Sequence, residues 1–511
     1  MAAVDATEAA RLTVQDGLDA ARTRAERNRL GQFATPTDLA TDVLTCARSM
    51  WPRGTPVRFL DPAVGTGAFY SALLRVFPPG EIEDARGLEI DPEVVRAARR
   101  VWQNSPLKIR RGDFTRAAPP SGEGRKANLL VCNPPYVRHH HLSQGEKARL
   151  REATRRRTGI APGGLTGLYG YFLCLSAAWV ARGGLAGWLI PSEFMDVNYG
   201  RQIKSFLLER VTLLRIHRFD PEEAQFKEAL VSSAVVWFRN EPPPAGHSAE
   251  FTYGGTLAAP RAAERVSAGE LRDAAKWTQF PRPQGGRRAP ARREGYRLAE
   301  LFTVKRGLAT GANKFFMLSP AQAAGHEIPE RFLTPILPSP RYLPDDEVAA
   351  DENGEPVLER RLYLVDCDLP ESEVEAAHPT LWRYLKAGRS AGVHEGYLCR
   401  NRSPWYAQED RPHAPLLCTY MGRRHGGRGK PFRFILNHSR ATAANVFLML
   451  YPTPLLRARL QTAPDLLTHV WRQLSQLSVN DLTSQGRVYG GGLHKLEPKE
   501  LGNVILHDLD E

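Results

Sequence analysis

The apolar positions of the amino-terminal half follow two alternating rhythms. Short runs dense in apolar residues suit strands largely buried on both faces, whereas a 3.6-residue spacing suits helices with one buried face. Runs of the first kind lie at residues 57–60, 87–90, 107–109, 128–132, 185–190, 211–219 and 231–238. Helical spacing covers residues 5–30, 69–76, 93–102 and 169–180. The resulting βαβα order predicts an α/β fold with a mostly parallel central sheet.

The most informative run is the fourth. Asn128-Leu129-Leu130-Val131-Cys132 meets Asn133-Pro134-Pro135-Tyr136. Proline cannot continue a ladder, so the strand stops and becomes a stiff loop. A carboxamide, a fixed carbonyl and an aromatic ring are thereby placed at a strand's carboxyl end, where open α/β sheets bind their ligands. The other strands end in the same way. The first runs into Asp61-Pro62-Ala63-Val64-Gly65-Thr66-Gly67-Ala68-Phe69, a carboxylate followed by a Gly-x-Gly turn and a helix. Glycines there let the backbone approach a ligand, but the third glycine of a dinucleotide fingerprint is absent. An acidic group before such a turn suits an amine-bearing ligand better than a pyrophosphate. The second strand ends at Glu89-Ile90, with an acid placed to accept hydrogen bonds from ribose hydroxyls. The third ends at Gly112-Asp113-Phe114, whose ring suits a flat partner. Asp61, Glu89, Asp113 and Asn133 are therefore expected to converge on one cleft.

Other segments are less specific. Thr35-Pro36 reads as an N-cap with proline at the first helical position, either a plain helix start or part of a motif. Arg138 and the run His139-His140-His141 read as a basic loop beside the cleft, since metal ligands need spacing and other partners. Phe226 stands alone ahead of the last strand. Residues 246–297 read as a connecting region, proline-rich, glycine-rich and basic at 281–293. The chain divides accordingly into residues 1–245, this linker, and a carboxyl-terminal α+β domain at 298–511 with no βαβ rhythm. That domain carries three basic and aromatic clusters, around Lys305, Arg306 and Asn313, around Arg402 and Trp405, and around Arg423, Arg424 and Arg428. Basic side chains interleaved with aromatics in loops suit contact with the DNA backbone and base edges.

Composition narrows the class. With 511 residues, 42% hydrophobic, there is enough chain for two or three domains with cores. A formal net charge of +13 favours a polyanionic partner, nucleic acid before membrane. Six scattered cysteines contain no Cys-x-x-Cys pair, so neither a zinc site nor a disulfide framework is indicated. A reducing cytoplasmic compartment fits. No secretory signal or membrane-spanning run is read from the sequence.

Together these motifs resemble the gamma-class adenine-N6 DNA methyltransferases of type II restriction–modification systems, the TaqI-like group. The pattern is Gly31 through Thr35-Pro36, Asp61 through Phe69, Glu89, Gly112-Asp113-Phe114, Asn133-Pro134-Pro135-Tyr136, and Phe226 ahead of Val231-Ser232-Ser233. The resemblance implies a Rossmann-like catalytic domain followed by a target recognition domain, and it implies S-adenosylmethionine as cofactor. Thr35, Pro36, Asp61, Pro62, Gly65, Gly67, Phe69, Glu89, Ile90, Asp113, Phe114 and Asn133 would hold that cofactor. Asn133 and the Pro134 carbonyl, with Pro135, would bind the target amine, and Tyr136 and Phe226 would stack on an adenine flipped out of duplex DNA. A separate cognate restriction endonuclease is the implied partner. Methylation of RNA or of a protein glutamine is the rival activity with the same amine chemistry. A catalytically inactive DNA-binding defence protein is the rival of another class.

Overall fold

A computed structural model describes residues 2–220, 232–282, 295–423, 430–478, 481–482, 487–489 and 493–507. Phe226, Arg424 and Arg428 lie outside the described residues, as does most of the basic stretch at 281–293. The chain divides into two compact units, Met1–Arg287 and Arg288–Glu511.

The first unit opens with three helices, α1 (Ala2–Ala20), α2 (Arg24–Leu30) and α3 (Thr37–Ser49). The sequence predicts a single helix over 5–30; the chain instead breaks at 21–23. The Thr23 hydroxyl accepts from the Glu26 amide at 3.3 Å, and the Glu26 carboxylate accepts from the Thr23 amide at 2.9 Å. This reciprocal capping box starts a new helix there.

The βα units follow as β1 (Val57–Asp61), α4 (Ala68–Val76), β2 (Ile82–Glu89), α5 (Pro92–Val101), β3 (Leu107–Arg111) and β4 (Ala127–Cys132). Then come α6 (Gln144–Thr158), α7 (Leu168–Leu175), β5 (Val180–Pro191), α8 (Arg201–Glu209), β6 (Thr212–Arg218) and β7 (Ser233–Arg239). The helix expected over 169–180 stops at Leu175, because Val180 already pairs with Ala127 in the sheet.

Residues 246–282 are not a linker. They form β8 (Ser248–Gly255), β9 (Pro260–Ser267) and α9 (Ala268–Asp273), and the two strands extend the same sheet. The prolines at 242–244 and Gly246 mark the turn into β8 rather than a domain boundary. Ala249 and Phe251 then alternate inward, as an edge hairpin with one covered face requires.

The sheet order is β3-β2-β1-β4-β5-β7-β6-β8-β9. The strands from β3 to β5 are parallel, and β7 is antiparallel to both its neighbours. The mixed α/β architecture with a mostly parallel half is the expected one. Chain direction across the sheet reverses between β1 and β4, which opens a crevice at their carboxyl ends. One core fills each sheet face, around Trp188 and Phe238 on one side and Trp237, Phe59 and Tyr70 on the other.

The second unit is α+β. A five-stranded sheet contains Phe302–Arg306, Phe447–Pro452, Leu416–Thr419, Phe434–Asn437 and Glu347–Val348 in spatial order. A four-stranded sheet and the helix Pro379–Ser390 enclose a further core containing Phe316, Leu381 and Trp405.

Candidate active site

Asp61 ends β1 and is 2% exposed. One carboxylate oxygen accepts the Ala63 amide at 3.1 Å. Burial, with a smaller contribution from Glu89, raises its pKa to about 7. The glycine turn beyond it is required for two different reasons. Gly65 has φ +53, and a Cβ there would meet open space. Gly67 has φ +93, and a Cβ there would strike the Trp102 indole nitrogen at 2.4 Å. That nitrogen donates to the Thr66 carbonyl at 2.9 Å, so Trp102 sets the turn from behind.

Glu89 ends β2 and clamps the same turn, accepting from the Gly65 amide at 3.2 Å and the Asp91 amide at 2.9 Å. Burial raises its pKa. Asp113, just beyond β3, accepts from the Thr115 amide and hydroxyl. Phe114 is buried against Phe172 and Trp179.

Asn133 is held by the amino-terminal segment. Its amide nitrogen donates to the Phe33 carbonyl at 3.0 Å and to the Thr35 hydroxyl at 3.1 Å. Phe33 O accepts only, so the carboxamide orientation is fixed. Its oxygen is buried and has no hydrogen-bond partner among the described residues. Thr35 is therefore not a helix cap: α3 begins at Thr37, and the Thr35 hydroxyl serves Asn133 instead. The Gly31 carbonyl accepts from the Tyr136 amide at 3.0 Å. Gly31 must be glycine, since its Cβ would lie 2.4 Å from that same nitrogen.

Two neighbouring cavities lie over these strand ends, one of about 60 Å³ and one of about 1130 Å³. Both are lined by Gly65, Phe33 and Asn133. The smaller adds Thr35, Asp61 and Phe69; the larger adds Pro62, Glu89, Ile90, Asp113, Phe114, Pro134 and Pro135. Pro36 and Gly67 line neither. Tyr136 also lines neither; it is 7% exposed, its hydroxyl donates to the Leu189 carbonyl at 3.1 Å, and its ring lies 5.7 Å from Phe33. Burial raises its pKa. Sequence reasoning missed the α1 residues Arg11 and Gln15, which line the smaller cavity. The one available signal was a charged pair, Glu8 and Arg11, on the buried face of an amphipathic helix.

Arg138 is exposed and lines neither cavity. In the second unit the basic clusters separate into outward and inward members. Lys305, Arg306, Asn313 and Arg423 are exposed. Arg306 lies 4.2 Å from the Tyr420 ring centroid. Arg402 is turned inward and donates to the Thr310 and Ala309 carbonyls at 2.9 and 2.6 Å. Trp405 is 7% exposed, in contact with Phe316 and Tyr406. These two residues, expected at a DNA surface, hold the fold of their loops. A basic-aromatic sequence reads the same whether its side chains turn out or in.

Comparison with known proteins adds ancestry to this geometry. The family described as Eco57I restriction-modification methylase matches residues 87–226. The family described as Type II methyltransferase M.Eco57I, C-terminal domain, matches residues 287–511. The Type II methyltransferase M.XamI of Xanthomonas campestris pv. amaranthicola is 28% identical over 491 residues, covering 94% of this chain and 86% of the relative. The Type II methyltransferase M.AccI of Acinetobacter calcoaceticus is 23% identical over 501 residues, with the same coverage of each chain. Among solved structures, the Type IIL restriction-modification enzyme MmeI in complex with DNA superposes with a TM-score of 0.53 at 14% identity. That match covers 91% of this chain but 64% of the MmeI chain, less than two thirds of its length, and it shows the fold. The chain is a distant homologue of the Eco57I-like restriction–modification methyltransferases.

Proposed function

We propose that the chain is an S-adenosylmethionine-dependent DNA methyltransferase that acts on the N6 amine of adenine at a specific site, within a restriction–modification system. Homology to the Eco57I-like enzymes supports the methyltransferase class. The finer assignment, an exocyclic amine such as that of adenine as the target, is carried by one observation. The Asn133 carboxamide oxygen is buried and unpartnered among the described residues, while its nitrogen makes two hydrogen bonds. Leaving a buried acceptor unmet costs roughly 1–3 kcal/mol, which a substrate N–H can recover.

The residues present fit the cofactor. Asp61 suits an ammonium group, Glu89 suits ribose hydroxyls, and Phe114 suits a flat ring. When bound, S-adenosylmethionine supplies an electrophilic methyl group. A cavity of about 1130 Å³ exceeds the range of roughly 300–1,000 Å³ usual for one small ligand, leaving room for a nucleobase as well. An exocyclic adenine amine is a weak nucleophile, because its lone pair is delocalised into the ring. Asn133 Oδ1 and the Pro134 carbonyl are two acceptors for its two N–H groups. Accepting both draws the nitrogen towards tetrahedral geometry and localises the pair. The gain comes from prepositioned dipoles rather than from a strong base.

The target base is out of reach inside a duplex and must be extruded. Phe226 and Tyr136 are the proposed stacking partners, Tyr136 by turning its ring away from Phe33. Outward basic residues of the second unit, with Arg138, are the proposed DNA contacts, and a separate endonuclease is the proposed partner. In the test, Asn133→Ala lowers adenine methylation on the order of 100- to 1,000-fold. Cofactor binding by calorimetry should stay within a few-fold of wild type. Near-normal turnover in that variant would remove the assignment.

A further inference from the structure

The smaller cavity has a charge pattern that the sequence motifs do not explain. Among its described lining residues there is one carboxylate, Asp61, and one cation, Arg11. Arg11 comes from α1, outside the βα units. It is 1% exposed, and so nearly is its partner, Glu8, at 3%. Burying an ion pair costs more in desolvation than a well-packed apolar pair, so its presence in a helix face calls for a use.

The hydrogen bonds show how the guanidinium is aimed. Nε donates to Glu8 Oε2 at 2.7 Å, and Nη2 donates to Glu8 Oε1 at 2.6 Å and to Thr37 Oγ1 at 3.4 Å. Nη1 donates to Thr66 Oγ1 at 3.1 Å. The Thr66 hydroxyl in turn donates to Gln15 Oε1 at 2.8 Å, so its proton is committed. Four of the five guanidinium hydrogens are thereby placed, leaving one on Nη1 without an acceptor among the described residues. Glu8 does not line the cavity, so it holds Arg11 from behind. Burial raises the pKa of Glu8, but hydrogen bonds from Arg11 and Thr37 outweigh this and bring it to about 2. The Glu8 carboxylate therefore stays ionised at neutral pH.

We propose that Arg11 binds the carboxylate of the cofactor's amino-acid end, opposite Asp61, which takes the ammonium. This makes α1 part of the cofactor site, with Glu8 as a positioning residue. The inference rests on the cofactor reading above. It predicts that the 511-residue chain distinguishes S-adenosylmethionine from its decarboxylated analogue, which lacks only that group. A charge-assisted hydrogen bond corresponds to about a 10- to 100-fold preference.

The experiment is calorimetric titration of both ligands into three proteins. These are the wild type, Arg11→Gln, and the double variant Glu8→Gln/Arg11→Gln, which leaves no orphaned buried charge. Wild type should prefer S-adenosylmethionine by that factor. Both variants should bind the decarboxylated analogue within about threefold of wild type and show little preference. A wild type that binds the two ligands equally overturns the proposal. So does a double variant that keeps the full preference or loses both ligands together. Failure of the wild type to bind either ligand is a different result, and it removes the cofactor reading itself.

Discussion

Asp61 and Arg402 show how differently two polar residues of equal sequence prominence can be used. Asp61 is a buried carboxylate with a single short backbone donor described for it, and its pKa of about 7 lies well above the ordinary 3.8. The folded chain therefore binds this proton more tightly than the unfolded chain does. Stability from this group is present below about pH 4 and is lost as pH rises towards 7. Asp61→Asn should accordingly raise the melting temperature of the ligand-free protein at pH 8 and leave it nearly unchanged at pH 4. The gap corresponds to at most about 4 kcal/mol by linkage. Thermal melts across that range test it, and equal shifts at both pH values would contradict the burial account. Arg402, by contrast, ties the loop at Ala309 and Thr310 to its own segment through carbonyl acceptors. Arg402→Ala should cost about 1–3 kcal/mol in denaturant unfolding, and any loss of DNA affinity should follow that instability.

At the scale of elements, the amino-terminal helices matter most. The break between α1 and α2 leaves Arg22 free to reach Asp91, which caps α5, at 2.5 Å. Gln15, Arg22 and Asp91 all line the larger cavity, as do Arg27 and Leu30, so α1, α2 and the break between them form part of its wall. Thr23→Ala removes one half of the capping box and should destabilise α2 by about 1 kcal/mol. Hydrogen exchange is the measurement: amides of residues 24–30 should lose protection while those of 5–15 keep it. Uniform protection in both helices would mean that tertiary contacts, not the cap, hold α2. β8 and β9 carry the complementary lesson. Their segment looked like a connection because prolines precede it and charge alternates along it. An edge hairpin needs only every second residue to be apolar, and that signal is weak beside a run of Pro and Gly.

The whole chain is basic, with a formal charge of +13, and this property belongs to no single residue. If the polyanion is DNA, affinity should fall steeply with salt as counterions are released. Lys305→Ala/Arg306→Ala should weaken specific and non-specific DNA alike and lower the slope of log affinity against log salt by about two. Fluorescence anisotropy between low and physiological salt measures both. An unchanged slope would remove Lys305 and Arg306 from the proposed DNA contacts. The parallel βα units and the placing of Asp61, Glu89 and Asn133 at strand ends follow from periodicity and from the residues themselves, signals local enough to read along the chain; the division near residue 287, in place of a linker over 246–297, does not. What the tertiary structure alone decided is direction and company. It turned Trp405 and Arg402 inward, buried Tyr136 against Phe33, made Thr35 a partner of Asn133, and brought Arg11 to the glycine turn through Thr66, across 55 positions of sequence. Hydropathy records whether a side chain prefers to be covered; it carries no record of which distant segment covers it.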